Sequence, residues 1–113
     1  MKNYVSYEEF AKIELKVGTI ISAELNKKLI KPSIVLKIDF GVEIGIKKSS
    51  AQLSKNYKPE QLTNKQVLAV LNFPQKQIGN LISEVLVLGL PDENGEPILI
   101  SPDKKVRNGV KLY

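Results

Sequence analysis

The sequence contains no cysteine, no histidine and no tryptophan, and a single methionine. Without cysteine there is no disulfide framework and no thiolate nucleophile. Without cysteine or histidine, a zinc site of the usual ligand set is excluded. Without histidine, the Ser-His-Asp triad and every step that needs an imidazole proton shuttle are excluded as well. Long hydrophobic runs are also missing. The longest, Val67–Leu71 and Val85–Leu90, fall far short of the ~18–20 apolar residues that cross a bilayer, so no membrane insertion is expected. The first residues, Met1-Lys2-Asn3-Tyr4-Val5-Ser6, carry no apolar core and no small-residue cleavage site, so no signal peptide is expected. A chain without cysteine suits a reducing compartment, and cytoplasm is the expected location.

Lysines, carboxylates, hydroxyls and amides remain. Asp39 and Glu43 could form a carboxylate pair, but charges beside a turn are usually solvated. Gly41 and Gly45 match no phosphate-loop pattern. A non-catalytic binding protein is therefore expected, with no catalytic residue, no metal and no cofactor. At 113 residues and 42% hydrophobic composition, the chain predicts one domain over 1–113, with a core but a modest stability margin that pairing of two copies would supplement.

The formal net charge is +5, and it is uneven: residues 1–58 hold 11 lysines and 6 acids, whereas residues 59–113 hold 6 basic and 6 acidic residues. Two stretches carry no acid. Leu25–Ile38 has Lys27, Lys28, Lys31 and Lys37, and Ile44–Pro59 has Lys47, Lys48, Lys55 and Lys58. On a shared face they would attract phosphate; scattered, they would only keep the domain soluble.

Ser6-Tyr7-Glu8-Glu9 is a capping box, and Val5 and Phe10 stand at the positions of a hydrophobic staple. A short helix over Tyr7–Lys12 follows, which must dock on something to persist. The period then changes to two. Lys16–Leu25, Ile34–Phe40 and Val42–Lys47 read as strands with one wet face, the last two joined by a tight hairpin at Gly41. In the first, Val17, Thr19, Ile21, Ala23 and Leu25 share a face. Ser49–Asn64 is polar and predicts helical turns near Ala51–Asn56 and Pro59–Leu62. Gln66–Leu71 and Glu84–Leu90 read as strands buried on both sides, with Phe73–Ile82 as the loop between them. Pro91–Gly95 is a turn, Pro97–Ile100 a last strand, and Asn108-Gly109 a turn. The layout is all-β: a five-stranded Greek-key OB-fold barrel with a short N-terminal helix and a short helical segment between strands 3 and 4. An SH3-like barrel or small sandwich is the alternative.

Two segments carry binding chemistry. Lys47-Lys48-Ser49-Ser50-Ala51-Gln52 would place two cations beside hydroxyls and an amide at the start of a helical turn, groups that contact phosphate and sugar oxygens. A lysine-tipped strand with Ser50 as an ordinary N-cap is the plainer reading. Asn72-Phe73-Pro74-Gln75-Lys76-Gln77-Ile78-Gly79-Asn80 offers amides, which either read base edges or cap backbone. Phe40 and Phe10 read as core, leaving only Tyr57 and Phe73 exposed near the basic segments. A binder that stacks successive bases is under-equipped with so few rings; recognition of folded RNA through phosphates and 2′-hydroxyls fits better.

With these residues in place, the chain resembles the CsaA family, small export-related chaperones built on a tRNA-binding OB domain. The resemblance is carried by Val17-Gly18-Thr19-Ile20, Ile38-Asp39-Phe40-Gly41, Glu43-Ile44-Gly45-Ile46-Lys47, Ser49-Ser50-Ala51-Gln52, Tyr57-Lys58-Pro59, Asn64-Lys65-Gln66-Val67, Asn72-Phe73-Pro74 and Ser83-Glu84-Val85-Leu86-Val87-Leu88-Gly89. It implies one tRNA-binding-type domain with N- and C-terminal extensions, a homodimer, and two kinds of partner: tRNA, and unfolded or pre-secretory proteins. The RNA-facing positions expected are Lys47, Lys48, Ser49, Ser50, Gln52, Asn72, Lys76 and Ser83. An apolar groove for client peptides would be lined by Phe73, Pro74, Ile78, Leu81 and Ile82. The N-terminal helix and the tail Val106–Tyr113 are the candidates for the dimer seam. One departure stands out. Where the family has a Pro-Pro-Arg-Arg-like stretch, this chain has Pro74-Gln75-Lys76-Gln77. One cation replaces two, and the bidentate grip of arginine is lost.

Overall fold

The computed structural model describes residues 3–28 and 32–113. Lys31, counted above in an acid-free stretch, and Met1 and Lys2 lie outside the described residues. Helix α1 (Tyr7–Ala11) is followed by β1 (Leu15–Asn26), β2 (Ser33–Asp39) and β3 (Ile46–Ala51). A 3-10 turn (Pro59–Gln61) leads to β4 (Gln66–Val70), and then come β5 (Lys76–Ile78), β6 (Leu81–Ser83), β7 (Leu86–Val87), β8 (Gly89–Pro91) and β9 (Pro97–Leu99).

The main sheet is antiparallel, in the order β3-β2-β1-β4-β7. Strand β4 returns beside β1 after β2 and β3 have been laid on its other edge, which is Greek-key order. The curled sheet with a helical turn between β3 and β4 is an OB-type barrel, as the sequence predicts.

Three expectations need correction. First, the third strand is not Val42–Lys47. Residues 42–44 form a turn, closed by Gly45 N–H to the Gly41 carbonyl (2.7 Å) and Phe40 N–H to the Gly45 carbonyl (3.0 Å). Both glycines have positive φ (95° and 86°), which lets the chain reverse without a Cβ clash. The strand is instead Ile46–Ala51, and the helical turn expected from Ala51 begins only at Ser54. Second, Phe73–Ile82 is not a plain loop, because it holds the β5–β6 hairpin. Third, Glu84–Leu90 is not one doubly buried strand. It is split into β7 and the start of β8, and Leu86 and Leu90 are exposed.

A bulge explains a further difference. The β1–β2 register passes from Ile20↔Ile38 to Ser22↔Lys37, leaving Ile21 unpaired. One extra residue reverses the alternation, so Ile20 is fully buried, Ile21 is exposed, and Ala23 again packs on the core. The strict two-residue period of the sequence predicts Ile21 on the same face as Ala23.

The barrel core holds Ile20, Ile34, Leu36, Ile38, Phe40, Leu53, Leu62, Val67, Ala69, Val85 and Leu99. Each fully buried side chain of this kind contributes about 1.5–3 kcal/mol. A second cluster lies on the outer face of β1 and β4: Leu15, Val17, Leu68 and Val70, covered by Phe10, Ile13, Leu88, Ile100 and Val110. Strand β4 is thus buried on both sides, as its continuous apolar run predicts.

Helix α1 docks on this outer cluster and is held at both ends. Its capping box is formed, with Ser6 N–H to Glu9 Oε1 (3.0 Å) and Glu9 N–H to Ser6 Oγ (3.1 Å), whereas Val5 of the expected staple stays exposed. At the other end Lys111 Nζ donates to the Ala11 carbonyl (2.8 Å) and to Glu14 Oε2 (2.7 Å). The C-terminal segment runs beside the first residues of β1, on the side that β2 does not reach, with Val17 N–H to the Val110 carbonyl (3.1 Å) and Leu112 N–H to the Leu15 carbonyl (2.8 Å).

Candidate nucleic-acid interface

Strand β3 meets the end of β6, at Ser83 and the following Glu84, in an open seam. The backbone contributes one hydrogen bond there, Glu84 N–H to the Lys48 carbonyl (2.8 Å). Side chains supply the rest. Glu84 Oε1 accepts from Lys48 N–H (2.9 Å), and Ser83 Oγ accepts from Ser50 N–H (3.1 Å). These bonds satisfy edge groups that a neighbouring strand would otherwise pair.

A groove of about 460 Å³ opens beside the seam. Its walls include Ser49, Ser50 and Gln52 from the β3 end, Phe73, Pro74, Lys76 and Ile78 from the hairpin, and Ser83. Its floor is apolar: Leu53, Val85 and Leu99 reach it from the core. Positions expected for RNA and for peptide thus line one groove.

Not every expected residue is free to bind. Ser49 and Ser83 are buried. Besides accepting from Ser50, Ser83 Oγ donates to the Val85 carbonyl (3.2 Å), with Ser49 Oγ 3.4 Å away. Ser50 Oγ pairs with Ser33 Oγ (3.1 Å). Ser50 therefore caps no helix. Asn72 is fully engaged: its Oδ1 accepts from Glu14 N–H (2.8 Å) and its Nδ2 donates to the Lys12 carbonyl (2.7 Å). It is a brace for the α1–β1 junction. Tyr57, expected exposed, packs on the core and its hydroxyl accepts from Leu99 N–H (3.0 Å).

Gln52, Phe73 and Lys76 are exposed at the groove, as are the apolar Pro74 and Leu86. Lys47 faces a neighbouring cleft with Lys16, Asn72 and Gln75, and Lys48 lies on the other side of β3 with Lys28, Lys37, Asn80 and Leu81. Lys47 and Lys48 thus line different clefts, and Lys28, Lys37 and Lys48 share one that also holds Glu24. Ile82 is half exposed and pairs with Gln77 across the hairpin.

Sequence reasoning missed the C-terminal network. Gln66 Nε2 donates to the Val106 carbonyl (2.7 Å) and to Asn108 Oδ1 (3.1 Å), while Gln66 Oε1 accepts from Val106 N–H (3.0 Å). Thr19 Oγ1 adds a bond to Asn108 Oδ1 (2.7 Å). No local signal marks a contact between positions this far apart in the chain.

A groove with a few polar groups over an apolar floor, on an OB-type barrel, defines a small ligand-binding module. A family model described as a putative tRNA binding domain matches residues 15–111. The chain belongs to this tRNA-binding-domain family, and within it to the CsaA proteins. The chaperone CsaA from Bacillus anthracis is 43% identical, with a TM-score of 0.91, over 98% of this chain and 100% of that one. The CsaA chaperone protein from Picrophilus torridus is 47% identical, with a TM-score of 0.87, over 97% and 100%. Methionine–tRNA ligase of Pyrococcus furiosus is 39% identical over 110 residues, 96% of this chain. The chain spans only 14% of that enzyme's length.

Proposed function

We propose that this chain is a non-catalytic tRNA-binding protein that acts in the cytoplasm as a homodimer and engages RNA through the groove and its flanking lysines. The observation that carries this reading is the meeting of Gln52, Phe73 and Lys76 at one groove, on a domain whose family is described as tRNA-binding. Phe73 offers a face for one unstacked base, Gln52 hydrogen bonds, and Lys76 a charge for phosphate. Lys47 and Lys48 extend the cationic contacts along both sides of β3. Exposed Leu90 and Ile98, opposite each other on β8 and β9, offer apolar surface for a second copy, beside the helix and tail expected from sequence. Sedimentation at several concentrations tests the pairing; a monomer throughout refutes it.

The test of RNA binding is tRNA affinity across a salt series, for the wild type and for Lys47→Ala/Lys48→Ala/Lys76→Ala. Each lost phosphate contact should flatten the log-log salt slope by about 0.7–0.9. Undetectable wild-type binding at low salt, or an unchanged slope in the triple variant, refutes the reading.

The apolar floor supports a second reading, in which the groove holds extended segments of unfolded or pre-secretory proteins, in keeping with the chaperone names of the structural relatives. Peptide binding through Phe73, Pro74 and Ile78 should survive high salt, whereas tRNA binding should not.

A further inference from the structure

Away from the groove, Lys65 before β4 and Lys105 on the segment that crosses it meet at one cleft, and Lys104 and Arg107 flank Lys105 on that segment. Lys65 and Lys105 line a cleft of about 370 Å³ together with Thr19, Asn64, Gln66 and Ser101. No acid lines this cleft. Lys104 and Arg107 are exposed on the same crossing segment, in which Asp103 is the single acid between Ser101 and Asn108; Arg107 also lines another cleft, with Lys16 and Glu43. Among the described residues none of the four cations forms an ion pair.

Their backbones are fixed. Asn64 N–H donates to the Ile20 carbonyl (2.8 Å) and Ile20 N–H to the Lys65 carbonyl (2.9 Å), which locks the turn before β4 onto the β1 bulge. Asn64 sits at φ 74°, the one positive φ outside glycine among the described residues. The crossing segment is held by the Gln66 amide at Val106. Charges on a braced backbone lose less freedom on binding than charges on a mobile tail. The Ser101 hydroxyl, exposed at the cleft, makes no hydrogen bond among the described residues and adds a donor for a phosphate oxygen.

We propose that Lys65, Lys104, Lys105 and Arg107 form a second phosphate-binding surface, which takes the phosphodiester backbone of the bound RNA outside the groove. The identity of the polyanion rests on the proposed RNA function; the presence of a phosphate site does not.

Two measurements separate these parts. In the first, backbone amide signals are followed by NMR while sodium orthophosphate is added, against sodium chloride of equal ionic strength. Saturable, phosphate-specific shifts at Lys65, Ser101 and Lys105, lost in Lys65→Gln/Lys105→Gln, support the site; their absence overturns it. In the second, tRNA affinity is measured across salt. The double variant should flatten the slope by about 1.4–1.8, the release expected for two phosphate contacts. Phosphate shifts with an unchanged tRNA slope overturn the RNA occupant and leave a site for free phosphate. A wild type that binds no tRNA refutes the groove reading and this occupant together, while the phosphate titration still decides the site. Lys104→Gln/Arg107→Gln, which touches neither residue of the cleft, is the second variant should the first not fold.

Discussion

The backbone N–H of Ser50 donates to the hydroxyl of Ser83 at 3.1 Å, across the seam where β3 meets the end of the β5–β6 hairpin. A side chain here does the work of a strand's carbonyl. Ser83→Ala leaves that N–H without its acceptor in a half-buried place, which costs about 1–3 kcal/mol. Denaturant unfolding should show that loss, and hydrogen exchange at the Ser50 amide should accelerate. Unchanged exchange would mean that the seam is closed by other contacts.

Gly18 and Gly109 are sites where any side chain is expected to destabilise the barrel. A Cβ on Gly18 would stand 2.6 Å from Ile38 Cγ2 and 2.8 Å from the Phe40 ring. Overpacking of this kind costs about 1–3 kcal/mol. Gly109 has φ +89°, and its Cβ would lie 2.5 Å from the Phe40 carbonyl oxygen. Backbone yields less readily than a side chain, so Gly109→Ala should lower the thermal midpoint more than Gly18→Ala. The reverse order would show that the tail gives way more easily than the core.

Asn72→Ala should cost stability and spare RNA binding. Both ends of its amide are spent on Glu14 and Lys12, and each bond is worth about 0.5–1.5 kcal/mol. The expected result is a lower unfolding midpoint with the tRNA salt slope unchanged. A flattened slope would return Asn72 to the RNA surface.

Acid should weaken the junction of α1, β1 and the tail. The hydrogen bond from Lys111, and then the charges of Lys111 and Lys16, hold the Glu14 carboxyl below its ordinary value of 4.5 against a smaller opposing effect of burial. A depressed folded-state pKa gives stability that is present above the unfolded value and lost as pH falls through the folded one. Asp92 behaves alike: the Asn56 amide, followed by the Glu96 N–H, holds it below 3.8. Urea midpoints should therefore decline as pH drops below about 4.5. Glu14→Gln should show a shallower decline, and an equal decline would assign the acid sensitivity elsewhere.

The hairpin loop has one cation, Lys76, where the CsaA-like pattern suggests two arginines. Lys76→Arg/Gln77→Arg should tighten tRNA binding, because a guanidinium grips phosphate with two donors. Gln77 at present donates to the Gly79 carbonyl at 2.7 Å, so its replacement also frees that turn. Unchanged affinity would separate the hairpin from the RNA surface.

Much of this protein follows from its sequence alone. The missing cysteine and histidine remove whole classes of chemistry whatever the fold. The Ser6/Glu9 capping box and the alternation in Ile34–Phe40 are local patterns, so four to seven residues suffice to read them. The apolar run at β4 likewise declares burial on both faces. The tertiary structure decided the rest. The bulge at Ile21 depends on pairing with β2, and the bulge, not the period, sets which residue faces the core. Asn72 could have read a base or capped a backbone; contact with Lys12 and Glu14, distant in sequence, made it a brace. Ser49 and Ser83, which sequence offered as RNA contacts, are buried in a seam that exists only once β3 meets the end of the β5–β6 hairpin. A hydroxyl or an amide carries the same chemistry in either role, and only its neighbours in space determine which role it plays.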